Sequence, residues 1–428
     1  MSLTPYRRVL ARPGVARLLL LSALARIPAT AAGVVLTLHV VTTLGLGYAA
    51  AGLVATASTA GMALGAPWRG RAVDRMGLRR ALIPSIVAEG FVWGTAPFVS
   101  YHLLLVVAFV GGVLGLPIFT VARQSLSVLV AEEQRRTAYS LDSIGVEVSF
   151  MVGPAAGVVV ATQVSSTVAL LGVGVLMVAA GLALFVADPP TRSAEAVEAA
   201  AAPGAATGGL RTWFSPGLAA VLAASAAATL VLSGTDVGVV AVLRDHGAVT
   251  FTGVVFAAWS VGSILGAVVY GALRRPVSPL LLLGGLAVLT IPIGLAPSPW
   301  LLAAAILPAG ALCAPVITAT AEQVTRRVPE RVRGEAMGWH GSALTVGIAL
   351  GAPLAGSAID NAGSWAGFAV VGAVGAVLAV AGLAVQVLLA RRSVPARLPD
   401  ADSAAPTGVA DADSPAPAAE PRPSPAAL

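Results

Sequence analysis

Twelve apolar segments, each about the length of a helix that crosses lipid, follow one another along this chain. They fall at 17–41, 47–68, 80–100, 103–126, 138–162, 166–187, 216–242, 248–272, 279–296, 299–321, 335–359 and 364–390. About 20 residues of helix span a hydrocarbon core, and lipid offers no partner to a backbone N–H or C=O, so each segment must satisfy its own. An all-α membrane bundle follows. A lipid-spanning barrel needs short strands of alternating polarity, and these runs are long and continuous, which excludes it. Only 11% of the 428 residues are charged and 57% are hydrophobic, whereas soluble domains carry about a quarter charged residues.

The spans divide into two sets of six. Residues 1–187 hold the first six-helix half and 214–390 the second. Between them, 188–213 is rich in Ala, Pro and Gly with charges of both signs, and reads as a linker. Residues 391–428, with eight prolines and five acids, read as a disordered tail. The arginine-rich start followed by LLLLSALA resembles a secretory signal. The apolar stretch, however, runs past Arg26 to Val41, so an uncleaved first span is expected.

All 26 basic residues are arginine, and 24 of them fall on one side of the bundle if the spans alternate. Arg244 lies on the other side, and Arg26 lies inside the first span. Such a bias orients a membrane protein. It predicts both termini in the cytoplasm, an inner (plasma) membrane location, and a basic charge balance due to topology rather than to nucleic acid. The single cysteine, Cys313, cannot form an intramolecular disulfide. His39, His102, His246 and His340 are scattered, so no metal site is expected. No GxxxxGK[ST] phosphate loop occurs, and no nucleophile–base set can be assembled. ATP-driven work, enzymatic activity and a bound cofactor are not expected.

A weak internal echo appears at an offset of 198 residues. Ala131-Glu132, Arg135, Ala138 and Gly153 correspond to Pro329-Glu330, Arg333, Ala336 and Gly351. Parallel repeats of six helices place a substrate site near the membrane midplane between the halves.

The loop between spans 2 and 3 reads Gly70-Arg71-Ala72-Val73-Asp74-Arg75-Met76-Gly77-Leu78-Arg79-Arg80. It resembles the signature of the major facilitator superfamily through Gly70, Asp74, Arg75, Gly77 and Arg79. Leu78 stands where the first basic residue of the closing pair is usual, and Arg80 is expected to supply the lost charge. The resemblance implies a bundle of two six-helix halves that works as a secondary transporter. It also implies that Asp74 holds an inner gate shut against a neighbouring helix end. Helix N-termini attract anions, and the start of span 11 near Arg333–Glu335 is a candidate partner. In the fifth span, Ser149 to Gly157 resembles the Gly-x-x-x-Gly-Pro-x-x-Gly-Gly pattern of exporting members. There Ser149 and Val158 replace the outer glycines. Gly145, Ser149, Gly153 and Gly157 form a small-residue stripe for close packing, and Pro154 should bend the helix.

Charges inside spans cost at least ~2.5 kcal/mol at mid-bilayer and call for a reason. Arg26, Glu89 and Glu147 each lie about ten residues into a span, or ~15 Å at 1.5 Å per residue. They are expected to form one cavity cluster in which Glu147 or Glu89 carries a proton beside Arg26. Asp142 is expected at the inner gate with Arg123 and Asp74, Asp236 at an outer gate with Arg244, and Glu322 in a helix-end pair with Arg326. His340 either titrates near neutral pH or is a buried hydrogen-bonding residue. Trp93, Phe256, Trp259 and Trp339 are candidates for an aromatic cavity wall. Asn and Gln are scarce in the central spans, with Gln124 near the mouth of span 4, and this tilts the cargo toward amphipathic or hydrophobic small molecules. The function expected is proton-coupled efflux by a monomer. An uptake or sugar-efflux carrier of the same fold and a non-transporting membrane sensor are the alternatives.

Overall fold

The computed structural model describes residues 4–201, 212–273 and 275–392. Met1–Gln386 form one compact unit. Most of the expected tail and residues 202–211 of the expected linker lie outside the described residues, and Ala194–Ala201 of that linker is helical. A short helix, Thr4–Leu10, precedes the spans. These are α1 (Val15–Leu38), α2 (Tyr48–Met76), α3 (Leu78–Thr95), α4 (Tyr101–Leu114 and Ile118–Leu129), α5 (Arg135–Gln163) and α6 (Ser166–Ala187). After the linker come α7 (Pro216–Asp245), α8 (Thr252–Ala272), α9 (Pro279–Thr290), α10 (Pro299–Arg327), α11 (Arg333–Ala362) and α12 (Ser364–Arg392).

Eleven of these stretches are long and apolar enough to cross a membrane, and the remaining one, Pro279–Leu295, is shorter. Its α-helix stops at Thr290 and tightens to a 3₁₀ turn over Ile291–Leu295. Pro292 sits in the first turn of that 3₁₀ segment and has no N–H with which to continue the α-helical hydrogen-bond ladder.

The two halves share one packing scheme. In the first, α1 packs on α5, α2 on α4 and α3 on α6; in the second, α7 packs on α11 and α8 on α10. Gly372 and Gly375 of α12 lie against Ala287 of α9, completing the set. The 198-residue echo marks equivalent places: a 3₁₀ turn at Glu132–Gln134 leads into α5 at Arg135, and one at Glu330–Val332 leads into α11 at Arg333. Across the halves, α2 meets α11 and α5 meets α8. An apolar cluster containing Leu18, Leu126, Tyr139, Val324 and Met337 joins both halves at the end of the bundle where the arginine-rich loops gather.

The glycine stripe of α5 serves the first half alone. Gly145 faces Ala23 of α1, Gly153 sits against Ile27 and Thr30, and Gly157 against Ala31 and Val35. Ser149 donates to the Ala23 carbonyl (2.9 Å), and Thr30 donates back to the Ser149 carbonyl (2.8 Å). In the second half, Gly347 and Gly351 of α11 press on α7 at Ala226 and Leu230.

One span departs from the single continuous helix expected at 103–126. Gly115-Leu116-Pro117 breaks α4, since Pro117 has no N–H and Gly115 resists helix formation. The exposed backbone groups are satisfied from neighbours. Arg69 of α2 donates to the carbonyls of Gly112 (2.7 Å) and Val113. Glu89 of α3 accepts from the Leu116 N–H (3.0 Å) and from the Trp93 indole (2.6 Å).

A Cβ at Gly153 would strike the α1 backbone and Thr30, whereas Gly172 of α6 faces open space. Gly153→Ala is therefore expected to lower stability by about 1–3 kcal/mol through overpacking. Gly172→Ala should be neutral or stabilising by up to ~1 kcal/mol through helix propensity. Thermal unfolding of the purified variants measures both.

Candidate functional site

The α2–α3 connection begins with a close crossing. A Cβ on Gly70 would collide with the Gly334 carbonyl of α11, and one on Gly338 with the backbone of Ala66. The first turn of a helix has N–H groups without intrahelical partners. Asp74 supplies the missing acceptors for α11: its Oδ1 accepts from the Gly334 N–H (2.9 Å) and its Oδ2 from the Glu335 N–H (2.8 Å). Gln124 Nε2 also donates to Oδ1 (2.9 Å). Arg71 forms a two-pronged pair with Glu335, its Nε lying 2.9 Å from Oε2. Asp74 is thus a helix cap contributed by the opposite half, with the charge sign that the helix dipole favours.

The remaining signature residues hold the turn. Gly77 has φ +81° and ψ 165°, a region essentially restricted to glycine. Arg79 lies 3.1 Å from Asp188 at the end of α6 and donates to the Phe185 carbonyl (3.1 Å). Arg75 and Arg80 are exposed.

The α5–α8 contact uses the other end of a helix. Arg136 Nη1 donates to the Leu273 carbonyl (2.8 Å) and Thr137 to the Gly271 carbonyl (2.7 Å), where α8 ends. Arg136 also pairs with Glu322 of α10 (3.3 Å), which holds Arg326 at 2.9 Å. Ser143 bonds Thr318 (3.0 Å), and Glu147 accepts from Ser263 Oγ (2.6 Å) with Cys313 Sγ at 3.9 Å. Residues 136, 140, 143 and 147 recur at helical spacing, and together they form a polar stripe that faces the second half. This spacing is a readable signal for Arg136 and Ser143 in the sequence. Among the described residues, no hydrogen bond or ion pair joins the halves beyond Glu147 on α5 or Ser342 on α11.

Several expected groupings change. Arg26 pairs with Asp142 (2.8 Å), not with Glu147 or Glu89, and Arg123 flanks the same carboxylate (Nε to Oδ2, 3.3 Å). Glu89 serves the break in α4, and Glu147 faces α8. Depth along a span does not set the direction a side chain points, which turns by about 100° per residue, so three charges at one level reach three different places. Asp142 stays apart from Asp74, while Gln124 beside Arg123 reaches it. Asp236 is exposed on α7 and interacts electrostatically with Glu147, not with Arg244. His340 is buried and bonded to Thr320 (3.0 Å).

The four candidate wall aromatics, Trp93, Phe256, Trp259 and Trp339, are each half-buried. Trp93 is committed to Glu89 and to packing over Gly174. Trp339 stacks edge-on against Phe214 (6.5 Å), and Phe256 and Trp259 pack on the core of the second half.

A further contact between the halves comes from the short first helix. Tyr6 donates to the carbonyls of Val268 (2.6 Å) and Ala267 (3.3 Å) in α8. No periodicity or motif had marked it.

The chain matches the family model of the Major Facilitator Superfamily over residues 18–239 and 221–422, and it belongs to that family. It is therefore a multi-pass membrane protein of a transporter family rather than an enzyme. Solved structures of similar fold include the human organic anion transporter MFSD10 (TETRAN), at 16% identity, TM-score 0.68, and coverage of 86% of this chain and 100% of that one. A bacterial homologue of the iron transporter ferroportin in an outward-facing state matches at 15% identity and TM-score 0.65, covering 88% and 99%. The E. coli fucose:proton symporter FucP matches at 13% and 0.64, covering 86% and 98%. A search of curated proteins found no match.

Asp74 is buried, whereas Arg71 is half-exposed, at 44%. Hydrogen bonds to a charged group are worth about 1.5–3 kcal/mol each, and exposed ion pairs about 0–1 kcal/mol. Asp74→Ala should therefore favour opening of the arginine-rich end far more than Arg71→Ala. Distances between spin labels on the 2–3 and 10–11 loops measure this. Burial pushes the Tyr6 phenol up to about 12 from its ordinary 10.0. The folded state thus prefers the protonated phenol, so docking of the first helix should hold through neutral pH. It should weaken as pH rises from 10 to 12, with Tyr6→Phe abolishing that step in hydrogen exchange of residues 4–10.

Proposed function

We propose that the protein is a secondary active transporter that exports small amphipathic or hydrophobic molecules by alternating access, in exchange for protons. The arginine bias supports a cytoplasmic location for the arginine-rich end and both termini, and in this reading the chain works as a monomer in the plasma membrane. The gating motif Gly70–Arg80, with Asp74 on α11 and the Arg123–Asp142 group beside it, then forms the inner gate. In this conformation that gate is closed.

The observation that carries the proton step is the position of Glu147. It is the last residue of the α5 stripe to touch the second half, and its partners there, Ser263 and Cys313, are uncharged. Acids inside membrane bundles commonly serve as proton relays. A proton arriving from the unsealed end would neutralise Glu147 and ease closure of that end over it; opening at the arginine-rich end would then release the proton inward. Glu89, held by the Leu116 N–H at the α4 break and by the Trp93 indole of its own helix, has no such contact with the second half. The scarcity of Asn and Gln in the central helices supports an apolar or amphipathic cargo.

Glu147→Gln should abolish the response of dye efflux to a pH gradient in proteoliposomes while retaining downhill dye movement. Glu89→Gln should keep that response but lower thermal stability. A pH-gradient response left intact in Glu147→Gln would overturn the assignment of the proton to this residue. An intact response in both variants would remove the case for coupling through either acid.

A further inference from the structure

A cationic cluster lies immediately above the apolar seal that joins the halves. The Arg26 side chain is 1% exposed and Arg123 is 5% exposed, and both address the one carboxylate of Asp142. Arginine stays protonated in proteins, so this pair plus a single acid leaves one positive charge in excess inside the bundle. Asp142 is the only acid among the described residues within ion-pair distance of either guanidinium. The facing groups from the other elements are uncharged or cationic: Phe119 of α4 beneath the Arg26 guanidinium at 4.8 Å, Tyr139 of α5, and His340 of α11 on the Arg123 side. Nε and Nη1 of Arg26 have no hydrogen-bond partner on the protein. A buried, uncompensated cation is costly, and its free N–H groups form a planar fork of the kind that matches a carboxylate.

We propose that Arg26 and Arg123 bind the anionic group of the cargo, a carboxylate or comparable monoanion on an apolar body, when the arginine-rich end opens. The proposal rests on the alternating-access reading above and adds a charge to the cargo. Separation of the halves would remove α10 and α11 from over Arg123 and expose the cluster to the vestibule at that end. Phe119, against the Arg26 guanidinium, would then lie beside the apolar part of a bound molecule. Resealing requires the cargo to leave toward the other half, because Asp142 alone remains to face both cations.

Benzoate, a carboxylate on an apolar ring, serves as the probe, with benzylammonium as the cation of matched shape. Equilibrium binding is measured on the purified full chain without any proton gradient, so loss of coupling in Glu147→Gln and loss of binding here are separate results. Benzoate should bind saturably and benzylammonium should not. Asp74→Ala, which favours the open end, should tighten benzoate about tenfold by raising the competent population. In that background, Arg26→Gln and Arg123→Gln should each weaken binding about tenfold or more. Should Arg26→Gln fail to fold, Arg26→Lys keeps the charge without the fork and should still weaken benzoate. Equal binding of the two probes, or benzoate affinity unchanged in Arg26→Lys and Arg123→Gln, would overturn the proposal.

Discussion

The first turn of α11 presents backbone N–H groups that its own helix cannot satisfy, and the arrangement of the halves depends on how they are met. Asp74 meets them from α2. For the carboxylate to arrive, the two backbones must cross in contact, which is why Gly70 and Gly334 face each other with no room for a side chain. For α2 to stop there and turn into α3, Gly77 must take a conformation closed to other residues. The signature loop is thus one geometric problem solved by three residue types. Its arginines are less essential to that geometry than its glycines and its acid.

Much of this architecture was legible beforehand. Hydropathy located the spans, the arginines sorted the loops, and the loop sequence pointed Asp74 toward the start of α11. The 198-residue echo looked weak in residues yet marks equivalent turns, because Glu132 and Glu330 both begin 3₁₀ turns that feed a long helix. Hydropathy could not reveal the break in α4, where only Gly115 and Pro117 interrupt an otherwise apolar run, nor the pairing of charges. Glu89 and Glu147 share a depth and a residue type. One caps a severed helix, the other faces the second half, and only helix rotation separates them. The partner of Trp93 was hidden for a related reason: its indole N–H needs an acceptor and finds Glu89 one helical turn away.

The stitching of α4 also shows how a membrane helix can be interrupted safely. Arg69 takes the carbonyls left at the end of the upper piece and Glu89 takes an N–H at the start of the lower one. Each charged side chain therefore answers a backbone need at a depth where lipid would leave it unmet. The lower piece carries Arg123 and Gln124, so the break and its stitching set where these two residues meet Asp142 and Asp74.

The two contacts between halves have opposite polarity. At α2–α11 an acid meets the amide end of a helix; at α5–α8 a guanidinium and a hydroxyl meet the carbonyl end of another. Each joint includes a short side chain, Asp74 in one and Thr137 in the other, set against the fixed terminus of a helix. Such joints have little slack. A slide of α11 by one residue, about 1.5 Å, would carry both amides out of reach of Asp74 at once, where long flexible ion pairs would have stretched and followed. A joint of this kind is made or lost as a unit, whereas one built of long ion pairs would loosen by degrees.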